Sequence, residues 1–469
     1  MKDDGYKYSN KFSDQDKQII IDLVNKYKDQ TDHLLVRVEK VEQTFINIRN
    51  CALEDVSLPS RFGGSVRVLI NGGWGNVSFT DLDKLEPSIV KAIKFAKLVG
   101  KGKSQYAPVK TIIDTVIAKE ELKDFLQVSL TDKVGLIIKY AELIYKTDPT
   151  LVRSAITYKD AIVNELIINS EGTAIEQERP YVYGVLALTA SKNNNIQNYH
   201  IKLTDQKFSG MLDVEKEIVN TIELLNKIVA APSVKSGDYM VVADQSLAGT
   251  FIHEAFGHLS EADNVDQNPQ LLSVMQIGRN FGSKLLTVID DPTIYGERGS
   301  YKYDSEGTQV HKTTLLDKGI LVGRLHSKET AARLNEKPNG YARSDSAKSI
   351  PQVRMGITYI ENGETGFDQM LKGIKKGLYC IDWQAGQTDH ENFTFTAQYA
   401  REIINGKLGR IVANVKLTGN LFDTLKQIDM VGNDSLIDGG TCGKGGQKLP
   451  VSSGSPHIRF KKIKVIGGE

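Results

Sequence analysis

His253, Glu254 and His258 are the residues whose types and spacing point most directly to chemistry. They lie in the run Gly249–Asp263, which also carries Glu261 and Asp263. Two neutral imidazoles can bind a zinc ion while an adjacent carboxylate takes a proton from water, the arrangement many metalloproteases use. The common spacing for this is H-E-x-x-H, whereas this chain reads H-E-x-x-x-H, one residue longer. On a regular α-helix, residues i and i+4 are about 40° apart, and residues i and i+5 about 140° apart. Rings that far around a straight helix cannot meet at one ion. A π turn, with roughly 4.4 residues, brings i and i+5 back to about 50°. Gly257, inside the interval, tolerates such a distortion. The spacing therefore predicts a π-bulged helix, or one that ends before His258. The alternative is a buried, hydrogen-bonded histidine pair with no metal. Against it, the chain has only eight histidines, and two of them flank this glutamate.

A chain of 469 residues has room for two or three domains with full cores. Its 40% hydrophobic and 25% charged content is that of a soluble globular protein. A net charge of +1 supplies no overall field for nucleic acid or an anionic membrane, so neither is expected as a partner. Cys51, Cys380 and Cys442 are too few and too scattered for a disulfide framework, which fits a reducing compartment. The N-terminus lacks the apolar core of a signal peptide, and no apolar run reaches the 18 to 20 residues or so that span a bilayer. A cytoplasmic location is expected.

The elements that must position the motif read as two domains. Residues 1–230 alternate helix and strand patterns, a mixed α/β domain. Ser13 with Asp16 starts a helix, and Pro87–Val99, Glu120–Leu126 and Asp132–Lys146 read as further helices. Short strands are expected at Leu34–Lys40, Thr44–Asn50, Ser65–Ile70 and Asn76–Phe79, the last two joined by a hairpin with Trp74 packed over it. Strands then run over Thr150–Tyr158, Ala161–Asn169, Thr173–Glu178, Tyr181–Ser191 and Tyr199–Thr204. The polar stretch Ala231–Asp238 is the boundary. Residues 238–469 read as a β-rich barrel or sandwich carrying the metal helix, so the class is α+β. There Asn392–Tyr399 alternates strictly, Asn405-Gly406 turns it into Gly409–Leu417, and one short helix follows at Leu421.

A catalytic zinc usually has three protein ligands and a water. The third ligand is open among Glu261, Asp263, His326, His390, Cys380 and Cys442. Five glycines surround Cys442, making a loop whose backbone can approach something closely. Its thiolate would be a strong zinc ligand. The alternative for Cys442 is a small buried residue in a tight turn.

Read in order, a series of motifs resembles the TldD/PmbA metallopeptidases, once described as modulators of DNA gyrase. They are His253–His258, Val288–Thr293, Arg298–Ser300, Tyr303–Thr308, Asn339–Arg343, Met430–Asp434 and Cys442–Gln447. The likeness covers the second half in detail and the first half by its pattern of elements. It implies zinc held by His253, His258 and Cys442, with Glu254 as the base. PmbA-like partner subunits lack the metal motif, so this chain resembles the catalytic type. The resemblance further implies an α/β domain before a β-rich one, and a dimer with itself or with a PmbA-like subunit. It also implies unfolded peptides as substrates, modified-peptide precursors and a labile antitoxin among them.

The expected activity is zinc-dependent hydrolysis of unfolded or short peptides. Zinc would polarise the scissile carbonyl, and Glu254 would pass a proton from water to the leaving amine. Arg343 and His326 are the candidate substrate-binding donors to the oxyanion, with a structural salt bridge the alternative for Arg343. An edge strand of the second domain could hold an extended peptide. Two rivals remain: a regulatory or binding subunit that holds zinc structurally, and an amidohydrolase that is not a peptidase. Glu254 argues against the first, because a structural site needs no base.

Overall fold

A computed structural model describes residues 11–100, 102, 104–193, 195–389 and 391–468. The first helix, Asp14–Tyr27, starts where a capping box puts it: Ser13 accepts from the Asp16 amide, and Asp16 returns the bond. Its Ile20 and Val24 are buried against a sheet of eight strands, in the order 73–79, 60–70, 33–49, 153–169, 174–192 and 113–116. Strand 52–57 pairs with 33–49, and strand 195–204 with 174–192. Asn71 and Gly72, with φ of 49° and 77°, make the tight turn of the expected hairpin.

Several expected strands are longer than the sequence suggests. His33–Arg49 is one strand, as are Arg153–Asn169 and Ala174–Lys192. Pro180 lies within the last, opposite Ile162. Its outer neighbours pair only with residues 174–177 and 184–192, so no strand lies opposite Pro180 on that edge, where a proline is tolerated. The expected helix Glu120–Leu126 is instead two 3₁₀ turns, Glu120–Leu122 and Asp124–Gln127. The Asp124 carboxylate accepts from the amides of Phe208 and Ser209, which pulls the segment out of a helical path.

One face of this sheet packs on helices Leu85–Val99, Leu130–Thr147 and Glu215–Val229 through two apolar clusters. The other face, which joins Arg37, Glu39 and Glu165 to an apolar patch of Leu35, Ile167 and Ile175 under Tyr303, meets the second half of the chain. There Arg37 donates to Glu165 at 3.0 Å and to the carbonyls of Ser346 and Ser349, while Glu39 accepts from the Ala347 amide.

In the second half the strands 376–389, 237–243, 458–466, 415–420 and 392–404 pair in that order, and the last pairs back to the first. The ring closes, so the β-rich part contains a barrel rather than a sandwich. The expected strand Gly409–Leu417 is split into Lys407–Val412 and Val415–Asn420 at Asn414, whose φ is 58°. A second sheet runs 320–321, 313–317, 288–290, 357–360, 447–455 and 436–444. The helix Gln245–Ile252 lies on the barrel by Phe251, which meets Phe393, Phe395 and Phe460 edge-on at 5.3, 5.7 and 5.6 Å. Each such aromatic pair adds about 0.5–1.5 kcal/mol to the burial itself, enough to fix how the helix sits. Among the described residues no helix is long and apolar enough to cross a membrane.

Candidate metal centre

Strand Gly237–Ala243 ends at Asp244, whose side chain accepts from the Leu247 amide and so starts the helix that carries the motif. Burial and the charge of Asp382 push the Asp244 carboxyl up to about 7. The helix is α-helical to Ile252, then becomes a π turn over His253–Gly257 and a 3₁₀ turn over His258–Ser260. This is the bulge that the five-residue interval requires. The rings of His253 and His258 consequently face each other, with centroids 5.3 Å apart and planes at 82°. A Cβ at Gly257 would stand 2.0 Å from the Met355 sulfur, so any larger residue there would have to displace the Met355 side chain. Ser260 and Ala262 then pair with Leu325 through main-chain bonds of 2.9 and 3.0 Å, which tie down the end of the segment.

Cys442 comes from the antiparallel hairpin 436–444 and 447–455, opposite Leu449. Its turn is Gly445-Gly446, both with positive φ. The fully buried Arg354 donates to the Cys442 carbonyl at 2.6 Å. The Cys442 sulfur is 3.3 Å from His258 Nε2. One donor atom from each of His253, His258 and Cys442 lies within 4.8 Å of the others. Tetrahedral zinc with Zn–S of about 2.3 Å and Zn–N of about 2.0 Å places its sulfur and nitrogen ligands roughly 3.6 Å apart. The donor set fits that ion in type and in spacing. Burial raises the Cys442 thiol, but hydrogen bonds and charge from the two histidines outweigh it and bring the thiol down to about 5. The group is therefore a thiolate, the form that binds metal.

Glu254 Oε2 is 3.8 Å from His258 Nε2, beside the same cluster, and its side chain is 29% exposed. His258 Nδ1 meets Glu261 Oε2 at 2.9 Å. Burial opposes protonation of the His258 ring, but Glu261 and Cys442 hold its pKa well above the usual value. Nδ1–H then donates to the carboxylate and Nε2–H to the Cys442 sulfur, and a metal would displace the Nε2 proton. Glu261 and Asp263 both pair with Lys444, at 3.0 and 2.7 Å, and stand outside the cluster. Cys380 is buried and outside it too, and burial raises its thiol strongly. His390 lies outside the described residues.

The two oxyanion donors expected from the sequence are occupied elsewhere. His326 Nε2 meets Glu336 at 3.0 Å and its Nδ1 meets Thr330 at 3.2 Å. Arg343 donates to the carbonyls of Met355 and Pro450, with its guanidinium 4.6 Å from the Tyr301 ring centroid. It braces the main chain beside the site and makes no salt bridge among the described contacts. The strand of Cys442 ends its sheet, yet its carbonyls at Gly440 and Cys442 are taken by Arg298 and Arg354. Sequence reasoning missed Lys444, Asn264 and Arg354. A signal existed only for Lys444, which lies two residues past Cys442 and hence on the same face of the strand.

Comparison with known proteins finds family models along most of the chain. Family models described as PmbA/TldA metallopeptidase domain 1, central domain and C-terminal domain match residues 35–98, 123–234 and 236–467. A metalloprotease of Synechocystis sp. is 38% identical over 96% of this chain and 97% of its own. A zinc metalloprotease TldD homolog of Saccharolobus solfataricus is 27% identical over 86% of this chain and 90% of its own. The crystal structure of TldE from Thermococcus kodakarensis superposes with a TM-score of 0.76 at 18% identity, covering 96% of this chain and all of that one, which shows a shared fold.

Proposed function

The chain belongs to the PmbA/TldA metallopeptidase family and is a zinc metalloprotease, and from that premise we propose which residues act and on what. The zinc ligands are His253, His258 and Cys442, the base is Glu254, and the substrates are unfolded or short peptides. The observation that carries this reading is the π turn. It brings two histidines five residues apart to one point, against a thiolate from a strand far along the chain.

When held there, zinc supplies Lewis-acid polarisation of the scissile carbonyl and a lowered pKa for water. Glu254 Oε2 takes the proton of the attacking water and delivers it to the leaving amine nitrogen. Its partial exposure keeps it open to water and substrate, whereas His253 and Cys442 are buried. Neither Arg343 nor His326 is assigned a donor role, because both Nη atoms of Arg343 and both ring nitrogens of His326 are already engaged.

The H-E-x-x-x-H spacing thus serves as a metal motif, and the TldD-like type acts as a dimer, with itself or with a PmbA-like subunit. A cytoplasmic setting fits its three free cysteines. Elemental analysis tests the ligand set. Wild type is expected to carry about one zinc per chain and Cys442→Ser to lose most of it. Full retention of zinc by Cys442→Ser would contradict the assignment. Turnover of an unstructured peptide should stop with chelator and return with zinc.

A further inference from the structure

Lys444 has no part in the mechanism above, although it lies in the Cys442 motif. Two residues along a strand separate Cys442 from Lys444 by about 7 Å and put both side chains on one face. The Lys444 ammonium contacts Glu261 Oε2 at 3.0 Å, Asp263 Oδ1 at 2.7 Å and the Val353 carbonyl at 3.1 Å. Glu261 is fully buried, and the same oxygen accepts from His258 Nδ1 at 2.9 Å and from Asn264 at 3.3 Å. One carboxylate oxygen is therefore shared between the strand that carries the cysteine and the turn that carries the histidine. Val353 closes the arrangement, since its amide donates to Asp263.

We infer that Glu261 and Lys444 are positioning residues that set His258 and Cys442 against each other for the metal. Lys444 locates the Glu261 carboxylate, and that carboxylate fixes the tautomer and rotation of the His258 ring. Displacing the cysteine strand moves the acceptor on which His258 depends. A pair that only held the fold together would behave like Lys133 and Asp160, 2.7 Å apart and buried in the N-terminal half. The inference rests on the metal reading above, and its test does not use peptidase activity.

The test is zinc affinity, measured by competition with a chelator, on the full chain. Wild type, Glu261→Gln, Lys444→Met and Lys133→Met are compared after circular dichroism has checked folding. The expected result is binding about 10- to 100-fold weaker in Glu261→Gln and Lys444→Met, the usual effect of losing a partner of a metal ligand. Lys133→Met should melt earlier but bind zinc as wild type does. Loaded with cobalt(II), Glu261→Gln should show altered d–d and thiolate charge-transfer bands. If Lys444→Met does not fold, the near-isosteric Glu261→Gln decides alone. Wild-type affinity and an unchanged cobalt spectrum in Glu261→Gln would overturn the inference, as would an equal loss in Lys133→Met. A wild type that binds no zinc would overturn the metal reading itself, a different failure.

Discussion

The Cys442 thiol, lowered to about 5 beside two imidazoles, separates this cysteine from the other two. Burial raises the thiols of Cys51 and Cys380, so they stay protonated near neutral pH. A folded-state value below the free one means that the thiolate persists as pH falls toward 5. In zinc-stripped protein, alkylation of Cys442 by a small reagent should therefore stay near its full rate from pH 8 down to about 6. Zinc should protect it. Mass-spectrometric mapping of the label across pH, with and without zinc, checks this, and a profile rising only near pH 9 would contradict it. At this scale the sequence was informative where geometry forces a residue's role. Two histidines five apart can share an ion only on a distorted helix, so the π turn could be read in advance. Arg343 and His326 could not be placed, because their engagement depends on Met355, Pro450, Thr330 and Glu336, none of which a motif marks.

The metal helix is held in place by its start, its aromatic face and one close approach. At Gly249 a Cβ would meet the backbone of Gly454 at 3.1 Å, so helix and hairpin nearly touch there. Gly249→Val should push the helix off the hairpin at a cost of about 1–3 kcal/mol and weaken zinc binding. Urea unfolding and chelator competition read the two effects, and unchanged values would mean that the approach does not matter. Asp244, the helix cap, gives a pH signature. Its folded-state pKa of about 7 exceeds the free value of 3.8, so the folded state holds the extra proton between them. The Asp244 contribution is fully present below about pH 4 and is lost as pH rises through 7. Asp244→Asn should accordingly flatten the decline in stability from pH 4 to 7, and urea midpoints across that range measure it. The helix and its π turn were legible as local patterns, but the Asp244 cap was not read from the sequence. The fused strands were not, because Pro180 and the polar residues between apolar runs look like breaks unless it is known which ladder edges lie empty.

Across the whole molecule, the Arg37 face of the N-terminal sheet grips the loop that leads into the metal site. Arg37 joins Glu165 to the carbonyls of Ser346 and Ser349 with almost no exposure. Arg37→Met leaves Glu165 buried with only the half-exposed Arg179 and Gln177. Removing one partner of a buried pair costs about 3–5 kcal/mol. The variant should lose that in chemical denaturation and become sensitive to limited proteolysis near residues 344–350. Resistance equal to wild type would show that the two halves do not depend on this contact. The α+β class and a β-rich second half were within reach of pattern reasoning, but the closure of the barrel and the grip between the halves were not. Arg37 and Ser349 are 312 positions apart, and nothing local in either marks the other.

The most direct test of the account is a paired measurement on Glu254→Gln and wild type: zinc content, and turnover of an unstructured peptide with a PmbA-like subunit supplied if one is required. Glutamine keeps the size and most polar contacts of the side chain but cannot take the proton. The account predicts equal zinc in the two proteins and turnover lower by about 10²- to 10⁴-fold in the variant, the usual contribution of a general base. A Glu254→Gln protein that cleaves at the wild-type rate, or one whose loss of turnover merely follows loss of zinc, would contradict it.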